Sequence, residues 1–534
     1  MIIIIHRNAQ QVVKVLKGET EIKISGTLCT KIFWELAEKF PEEIIAWCEE
    51  KYSADLNIEQ WSQIFHQDLI MASYAVENVF LPDSIGYIDQ LPSVNVNRKV
   101  LYATWQMSSD VGGIKGETLL KFKSLFEGLK DFNFLLNSIA KIGQQNGLFC
   151  YSAPGLVSKT SDKKPEPTAT TSQLFSFVYS YYNTIWTSVL FWCYWKYENE
   201  FPLNDYLQAF LKEKCFLQKV DLSAIKIQSN RIPETSNSID VIIPTMGRPK
   251  YLMQVIEDLS MQSLLPKKLI VVEQNPDVNS LSELAELHSK TWPFEITHHF
   301  IHQTGACNAR NMALGDVDSD WIFFADDDIR FESDLLERVI EEMNRLGVSS
   351  INMNCKQKGE ETIFKKIKQW GSFGSGTSVV KSIFAKQCAF SPIFEHGYGE
   401  DADFGMQLRN VGCDIIYHPE IEILHLKAPM GGFREKPVLA WEQEQPLPKP
   451  SPTLKAFALK YYSPKQIKGF KTSLFLKYYN KQRIKNPITY IREMRKRWKK
   501  SEEWAGKLIE EEGLGKKGNE ETRGLGERGT WRNK

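Results

Sequence analysis

The chain has no net charge, no closely paired cysteines and no long uniformly apolar run, and each lack removes a class of function. Lys plus Arg and Asp plus Glu both number 66 in 534 residues, so no global polyanionic or polycationic partner is implied. The basic patches and aromatic-glycine signatures of nucleic-acid binders are missing too, which argues against a nucleic-acid partner. Nine cysteines are scattered without a Cys-x-x-Cys pair, a pattern of reduced thiols rather than of a zinc site or a secreted disulfide framework. Met1-Ile-Ile-Ile-Ile-His-Arg7 is too short for a signal peptide and lacks a cleavage pattern, so it reads as a first strand, and the expected location is cytoplasmic. Phe175 to Trp195 carries no charge, but Ser176, Ser180, Asn183, Thr184, Thr187 and Ser188 interrupt it. It is read as an aromatic helix packed on the mid-chain domain or on a lipid surface, not as a membrane span.

What is present is most specific in mid-chain. Trp321-Ile-Phe-Phe-Ala-Asp-Asp-Asp328 is a short apolar run that delivers Asp326, Asp327 and Asp328 to its carboxyl end. Adjacent carboxylates repel one another unless a cation, solvent or donors compensate them. Oxygen ligands of this kind suit a hard divalent ion, Mg²⁺ or Mn²⁺, which keeps positions open for substrate phosphate. A solvated acidic turn before a helix is the alternative for the cluster taken alone, since Glu332, Ser333 and Asp334 follow.

The surroundings favour the metal. Ser238-Ile-Asp-Val-Ile-Ile-Pro-Thr245 is a β-branched run, and Met246-Gly-Arg248-Pro249 opens a helix-period segment through Tyr251, Leu252, Val255, Ile256 and Leu259. Lys268-Leu-Ile-Val-Val-Glu273 is a second strand, Phe294 to Ile301 a third, and a helix starts near Thr304. Strands alternating with helices predict a mainly parallel sheet covered on both faces, with ligands beyond the strands' carboxyl ends. Thr245, Glu273 and Asp326 to Asp328 all fall at such ends. The amides that open the Thr304 helix can meet an anion, and Arg310 can add charge-assisted bonds to a phosphate or form a surface salt bridge. Further on come Trp370-Gly-Ser-Phe-Gly-Ser-Gly376 and Gly397-Tyr-Gly-Glu400-Asp401-Ala-Asp403, the latter opening another helix.

Taken in order, these pieces resemble the family 2 glycosyltransferases of the GT-A fold over about residues 236 to 430. The resemblance rests on Pro244-Thr245, Glu273, Gly305 with Ala309-Arg310-Asn311, Asp326-Asp327-Asp328 and Glu400-Asp401. Two departures stand out: Glu273-Gln274-Asn275 replaces the family's usual Asp-Gly-Ser, and three aspartates blur the register of its Asp-x-Asp motif. The implied fold is α/β, a GT-A (Rossmann-like) nucleotide-sugar-binding sheet. The implied reaction moves a sugar from a nucleotide donor, UDP-linked by family frequency, to a hydroxyl of a glycan or lipid-linked envelope acceptor. Implied donor contacts are Pro244, Thr245, Arg248, Glu273, Arg310, Asn311, Asp326 and Asp327, with Asp327 meeting ribose or sugar hydroxyls. Asp328 with Asp326 would hold Mn²⁺ or Mg²⁺ as Lewis acid and template for the diphosphate. By the same resemblance Asp401 is the base that deprotonates the acceptor, Glu400 orients it, and Asp403 is a helix-turn residue. A base on the acceptor side implies single displacement with inversion. His425, at the end of Ile421-Glu-Ile-Leu-His425, is either a third metal ligand or a core histidine. Lys427 and Arg434 beside Gly431-Gly432 form a candidate cover over the diphosphate.

The rest of the chain divides around this unit into 1–235, 236–447 and 448–534. In the first part Phe33 to Phe40 reads as a helix, Glu43 to Trp47 and Val100 to Trp105 as strands, and Ser108 to Gly113 as a Gly-Gly segment; no Asp-x-Asp follows a strand. It is expected to be an α/β domain, a degenerate GT-A-like or acceptor-binding copy. Linkers are expected at Ser158 to Ser172 and at Pro233 to Ser238, the second being the domain boundary. Lys481 to Lys500 is basic with Glu493 alone as an acid, interleaved with Ile484, Ile488, Tyr490, Ile491, Met494 and Trp498. Such a tail either packs as a helix on the domain or lies peripherally on the inner face of an anionic membrane. Beyond Leu508 the composition predicts disorder. The rival readings are a nucleotidyltransferase, for which Pro244-Thr-Met-Gly-Arg248 is a poor triphosphate loop, an inert glycan-binding module that keeps the fold, and a scaffold whose first half recruits partners.

Overall fold

The computed structural model describes residues 1–232, 236–428 and 438–527, with side chains to residue 513. The boundary segment from Pro233 to Ser238 lies partly outside these residues, and the Gly431-Gly432 loop with Arg434 lies wholly outside them.

Two sheets carry the molecule. The second follows the expected alternation: Ile239–Thr245 lies parallel to Lys268–Gln274 on one side and to Trp321–Ala325 on the other, and Glu295–Ile301 extends the edge. Beyond Trp321–Ala325 come Thr377–Lys381, antiparallel, then Ser350–Lys356 and Ile416–His425. The central strands, β-branched in two cases and aromatic in Trp321–Ala325, are buried on both faces because helices cover both sides. Asp240 is buried inside one of them and accepts from the Asp318 and Ser319 amides at 2.7 and 3.0 Å, which fixes the turn into the strand that ends at the aspartates. Pro249 stands at the first position of helix Pro249–Ser260, where its missing N–H costs nothing.

The first sheet repeats part of this plan. Ile2–Arg7 is parallel to Ile44–Glu49, which is antiparallel to Val111–Lys115; that strand is antiparallel to Ile70–Tyr74, and Phe149–Ser152 is parallel to the last. The same five directions in the same chain order relate Ile239–Thr245, Trp321–Ala325, Thr377–Lys381, Ser350–Lys356 and Ile416–His425. The two differ at the outer edge, where a hairpin of Gln11–Lys17 and Thr20–Glu21 stands in place of the parallel strands Lys268–Gln274 and Glu295–Ile301. One buried apolar cluster, including Trp61, Tyr74, Phe149, Phe323, Ile351 and Ile416, runs through both sheets.

Several local expectations differ from the structure. Val100 to Trp105 contributes only the two-residue strand Tyr102–Ala103. The Gly-Gly segment is itself part of strand Val111–Lys115, because a Cβ on Gly112 would run into the Trp47 ring. The aromatic stretch is two helices, Thr171–Tyr181 and Ile185–Cys193, followed by a π turn Tyr194–Glu198, and its polar residues fall near the break. The last helix runs from Pro487 to Glu527, and residues 528–534 of the tail expected to be disordered lie outside the described residues. Among the described residues no helix is long and apolar enough to cross a membrane.

The tail straps the two units together. Helix Pro464–Tyr479 opens with a capping box of Ser463 and Gln466, and the Gln466 amide also donates to the Asp89 carbonyl at 3.2 Å in the amino-terminal unit. Helix Pro452–Tyr461 packs on the second unit, with the Tyr461 hydroxyl donating to Asp403.

Candidate active site

Strand register assembles the site. Ile242 pairs with Phe324 across parallel strands, so Thr245 and Asp327, each three residues further on, become neighbours. The Thr245 hydroxyl accordingly donates to Asp327 at 2.7 Å. On the other side Ala325 pairs with Thr377, which brings Gly376 against Asp326. A Cβ there would land on the Asp326 carboxylate, so the glycine is required by close approach. Ile329 pairs with His425, and the His425 ring meets Asp328 at 3.2 Å.

The result is one cavity of about 350 Å³ beyond the strand ends, within the ~300–1,000 Å³ common for small-ligand sites. Pro244, Thr245, Arg248, Arg310, Asp326, Asp327, Asp328, Glu400, Asp401 and His425, all named from the sequence, line it, as does Lys427. Glu273 and Asn311 do not. Glu273 accepts from Ser282 at 2.6 Å and the Glu283 amide at 2.8 Å and meets His298 at 3.0 Å, so it pins the loop after its strand. The Asn311 amide exchanges two bonds of 2.7 Å with the Phe390 backbone. Asp403 is more than a turn residue: it is fully buried and accepts from Tyr461 and Lys460 of the tail at 2.8 and 2.7 Å.

The anion expected at the start of helix Ala306–Gly315 is supplied by the chain. Glu395 accepts from the Cys307 and Asn308 amides at 3.2 and 2.9 Å, and Gly305, at φ +140°, has no room for a side chain beside it. Gln274 and Ser375 line the cavity without having been singled out from the sequence. Gln274 exchanges bonds of 2.8 and 3.0 Å with Gly305, an interaction no local pattern announces. The glycine spacing around Ser375 was the available signal for that loop.

The three aspartates have three environments. Asp327 is pushed up to about 6 by burial, against the pull of Arg248 at 2.8 Å and Thr245. Burial also pushes Asp328 up, but the His425 hydrogen bond and the Ala428 amide at 2.9 Å outweigh it and hold its carboxyl below the usual range. The hydrogen bond to Asp328, with one to Cys355, lifts His425 to about 10, so the ring keeps its proton beside Asp328. Asp326 meets Arg310 at 3.2 Å. Arg310 lies over the Phe390 ring at 5.5 Å, and its buried Nε has no hydrogen-bond partner among the described residues. At the far wall the Asp401 Oδ1 accepts from both the Ser375 amide, at 3.1 Å, and the Ser375 hydroxyl. Burial raises both Asp401 and Glu400 above their ordinary values.

Among the described residues no group of three or more His, Cys, Asp and Glu side chains is arranged to hold a metal ion. The donor set fits a different design. Mg²⁺-type ions are commonly held by one or two carboxylates, with substrate phosphate and water completing the shell. Asp326 and Asp328 face one cavity in that way, and His425 could join them only by giving up its proton.

No curated protein sequence matches the chain with significance. Solved structures do. The S. aureus TarS fragment 1–349 is 16% identical, with 35% of this chain and 60% of that chain covered and a TM-score of 0.30. The same fragment in complex with UDP-GlcNAc is 15% identical over 46% of this chain and 73% of that one, with a TM-score of 0.35. GalNAc-T7 with UDP, GalNAc and Mn²⁺ is 8% identical over 39% and 45%, with a TM-score of 0.30. The chain thus spans less than two thirds of the first of these. The family described as glycosyl transferase family 2 matches residues 240–391, a stretch that holds all but the first residue of strand Ile239–Thr245, the aspartates and the Ser375 loop. Residues 240–391 are therefore a family 2 glycosyltransferase-like segment.

Proposed function

We propose that the protein is a glycosyltransferase that moves a sugar from a nucleotide-sugar donor to a hydroxyl of a glycan or lipid-linked acceptor, with a divalent metal and inversion at the anomeric carbon. One observation carries the reading: pieces far apart in sequence, from Thr245 through Asp326–Asp328 to Glu400–Asp401, face a single cavity. A departing diphosphate needs positive charge at one end of that cavity, and an attacking alcohol needs a base at the other.

Asp326 and Asp328 would hold Mn²⁺ or Mg²⁺, which when bound supplies Lewis-acid stabilisation of the diphosphate. Arg310, with an unpartnered buried Nε, is suited to meet a diphosphate oxygen. Thr245 and Arg248 fix the orientation of Asp327, which then presents to donor hydroxyls. Ser375 places both its donors on Oδ1 of Asp401, so Oδ2 takes the acceptor proton. Glu400 orients the acceptor. UDP is the carrier we assign, and the amino-terminal unit, which repeats five strands without the aspartates, is assigned to the acceptor side. Arg248 turned back onto Asp327 and Asp328 weighs against a triphosphate loop, and the buried acids weigh against an inert module.

The test is turnover of a panel of nucleotide sugars by the full chain, with and without Mn²⁺, reading released nucleotide and the anomeric configuration of the product. Asp328→Ala should abolish metal-dependent donor binding, whereas Asp401→Asn should spare binding and lose transfer. Failure of every donor to bind or turn over, or the reverse behaviour of the two variants, would overturn the assignment.

A further inference from the structure

Two segments far apart in sequence close around one apolar groove of about 640 Å³. Trp192 and Tyr197, from helix Ile185–Cys193 and the turn after it, form one wall. Phe475, Leu476, Ile491 and Trp498, from the last two tail helices, form the other. Its charged lining is mainly cationic: Lys196, Lys468, Lys471 and Arg495 belong to it, and Glu502 is the acid among them. The ammonium groups rest on the aromatic walls, Lys468 at 5.3 Å from the Tyr197 ring and Lys471 at 4.9 Å from the Trp498 ring.

An aromatic ridge continues outside. The rings of Trp192 and Trp195 are 5.1 Å apart, and Trp195 and Phe201 are 6.2 Å apart. These side chains are 45%, 50% and 60% exposed, and Leu476 of the groove wall reaches 55%. A contiguous apolar surface of this kind is costly in water and marks a place where something docks. Tryptophans beside lysines, around a groove of hydrocarbon character, match the boundary between headgroups and acyl chains. A second copy of the chain is disfavoured, since two such faces would set the same cations against each other.

We propose that this face seats the protein on an anionic lipid bilayer, with one lipid chain in the groove and its phosphate among Lys468, Lys471 and Arg495. The attachment is peripheral, because no described helix is long and apolar enough to cross. It does not rest on the glycosyltransferase reading, and its test reads binding alone.

The full chain is mixed with vesicles of phosphatidylcholine, with and without phosphatidylglycerol, and sedimented. Binding should be at least about tenfold stronger with phosphatidylglycerol and fall with salt, since each basic side chain near an anionic surface contributes about fivefold. Lipids brominated on the acyl chain should quench tryptophan fluorescence, a measurement that needs no variant. Lys468→Glu with Arg495→Glu should lower binding by about twentyfold or more at unchanged melting temperature. Trp192→Ser should lower quenching further. Equal binding to both vesicle types, binding without quenching, or self-association that the same substitutions abolish would each overturn the proposal.

Discussion

Tyr461 donates its hydroxyl to the buried carboxylate of Asp403 at 2.8 Å, and Asp403 sits one short step from Asp401 on helix Glu400–Asn410. The first tail helix therefore holds the helix that carries the acidic pair. Gln407 and Lys460, each at 2.7 Å, complete the coordination of Asp403. Burial and the neighbouring carboxylate push the Tyr461 hydroxyl far above its ordinary range, so it remains a donor. Tyr461→Phe removes one donor from a fully buried charge and should cost about 1–3 kcal/mol. Urea unfolding of the variant checks the magnitude, and hydrogen exchange at 400–410 checks that the loss is local.

Gly376 gives a sharper test of the aspartate cluster. A methyl group there would occupy the place of the Asp326 carboxylate, so Gly376→Ala must turn that side chain away or shift the strand. The expected outcome is loss of most metal-dependent donor affinity, about tenfold or more, with a smaller effect on donor binding measured in chelator. Calorimetric titration in the two conditions separates these, and an unchanged metal dependence would remove Asp326 from the site.

Asp401 predicts a pH profile. A base must be ionised, and burial raises this carboxyl above its ordinary value, so transfer should fail on acidification earlier than an exposed aspartate would require. The Ser375 donors pull the other way by stabilising the charged form. Ser375→Ala should therefore move the acid limb of the kcat profile to higher pH. A limb that stays in place would mean that another group limits the rate.

Much of this site was legible because strand ends are marked in the sequence. The β-branched run into Pro244-Thr245 and the apolar run into Asp326 each name a strand and its last residue, and parallel pairing then brings the ends together. His425 was legible for the same reason, as the end of an alternating strand. What was not legible depends on contacts between distant segments. Glu395 reaches the helix start at Cys307, and Gln274 grips Gly305; neither pairing leaves a periodic trace. Glu273 occupies the expected strand end, yet Ser282 and His298 hold it, because its neighbours in space were not its neighbours in sequence. The repeat between the two sheets was visible only as a similar alternation of elements, since their side chains differ while their pairing directions agree.

The junction between the two units carries its own acid sensitivity. His66, from the amino-terminal unit, meets the Ser229 hydroxyl at 3.0 Å, and Arg231 donates to the Gly347 carbonyl at 2.8 Å just past helix Leu335–Leu346. Gly347, at φ +66°, has no room for a Cβ beside Ser229 and His66, so the contact is tight. Burial, with the Arg231 charge second, lowers His66 from 6.5 to about 3. The folded ring is thus neutral where the unfolded one binds a proton. Stability from this site is complete above about pH 6.5 and is lost as pH falls toward about 3, with a slope of about 1.4 kcal/mol per pH unit for the single proton. His66→Gln keeps a side chain able to meet Ser229 and removes the titration. Its unfolding free energy should lie below that of the parent at pH 7.5 and change less between pH 6.5 and 4.5. Parallel curves for the two proteins across that interval would show that His66 is not the group that senses acid.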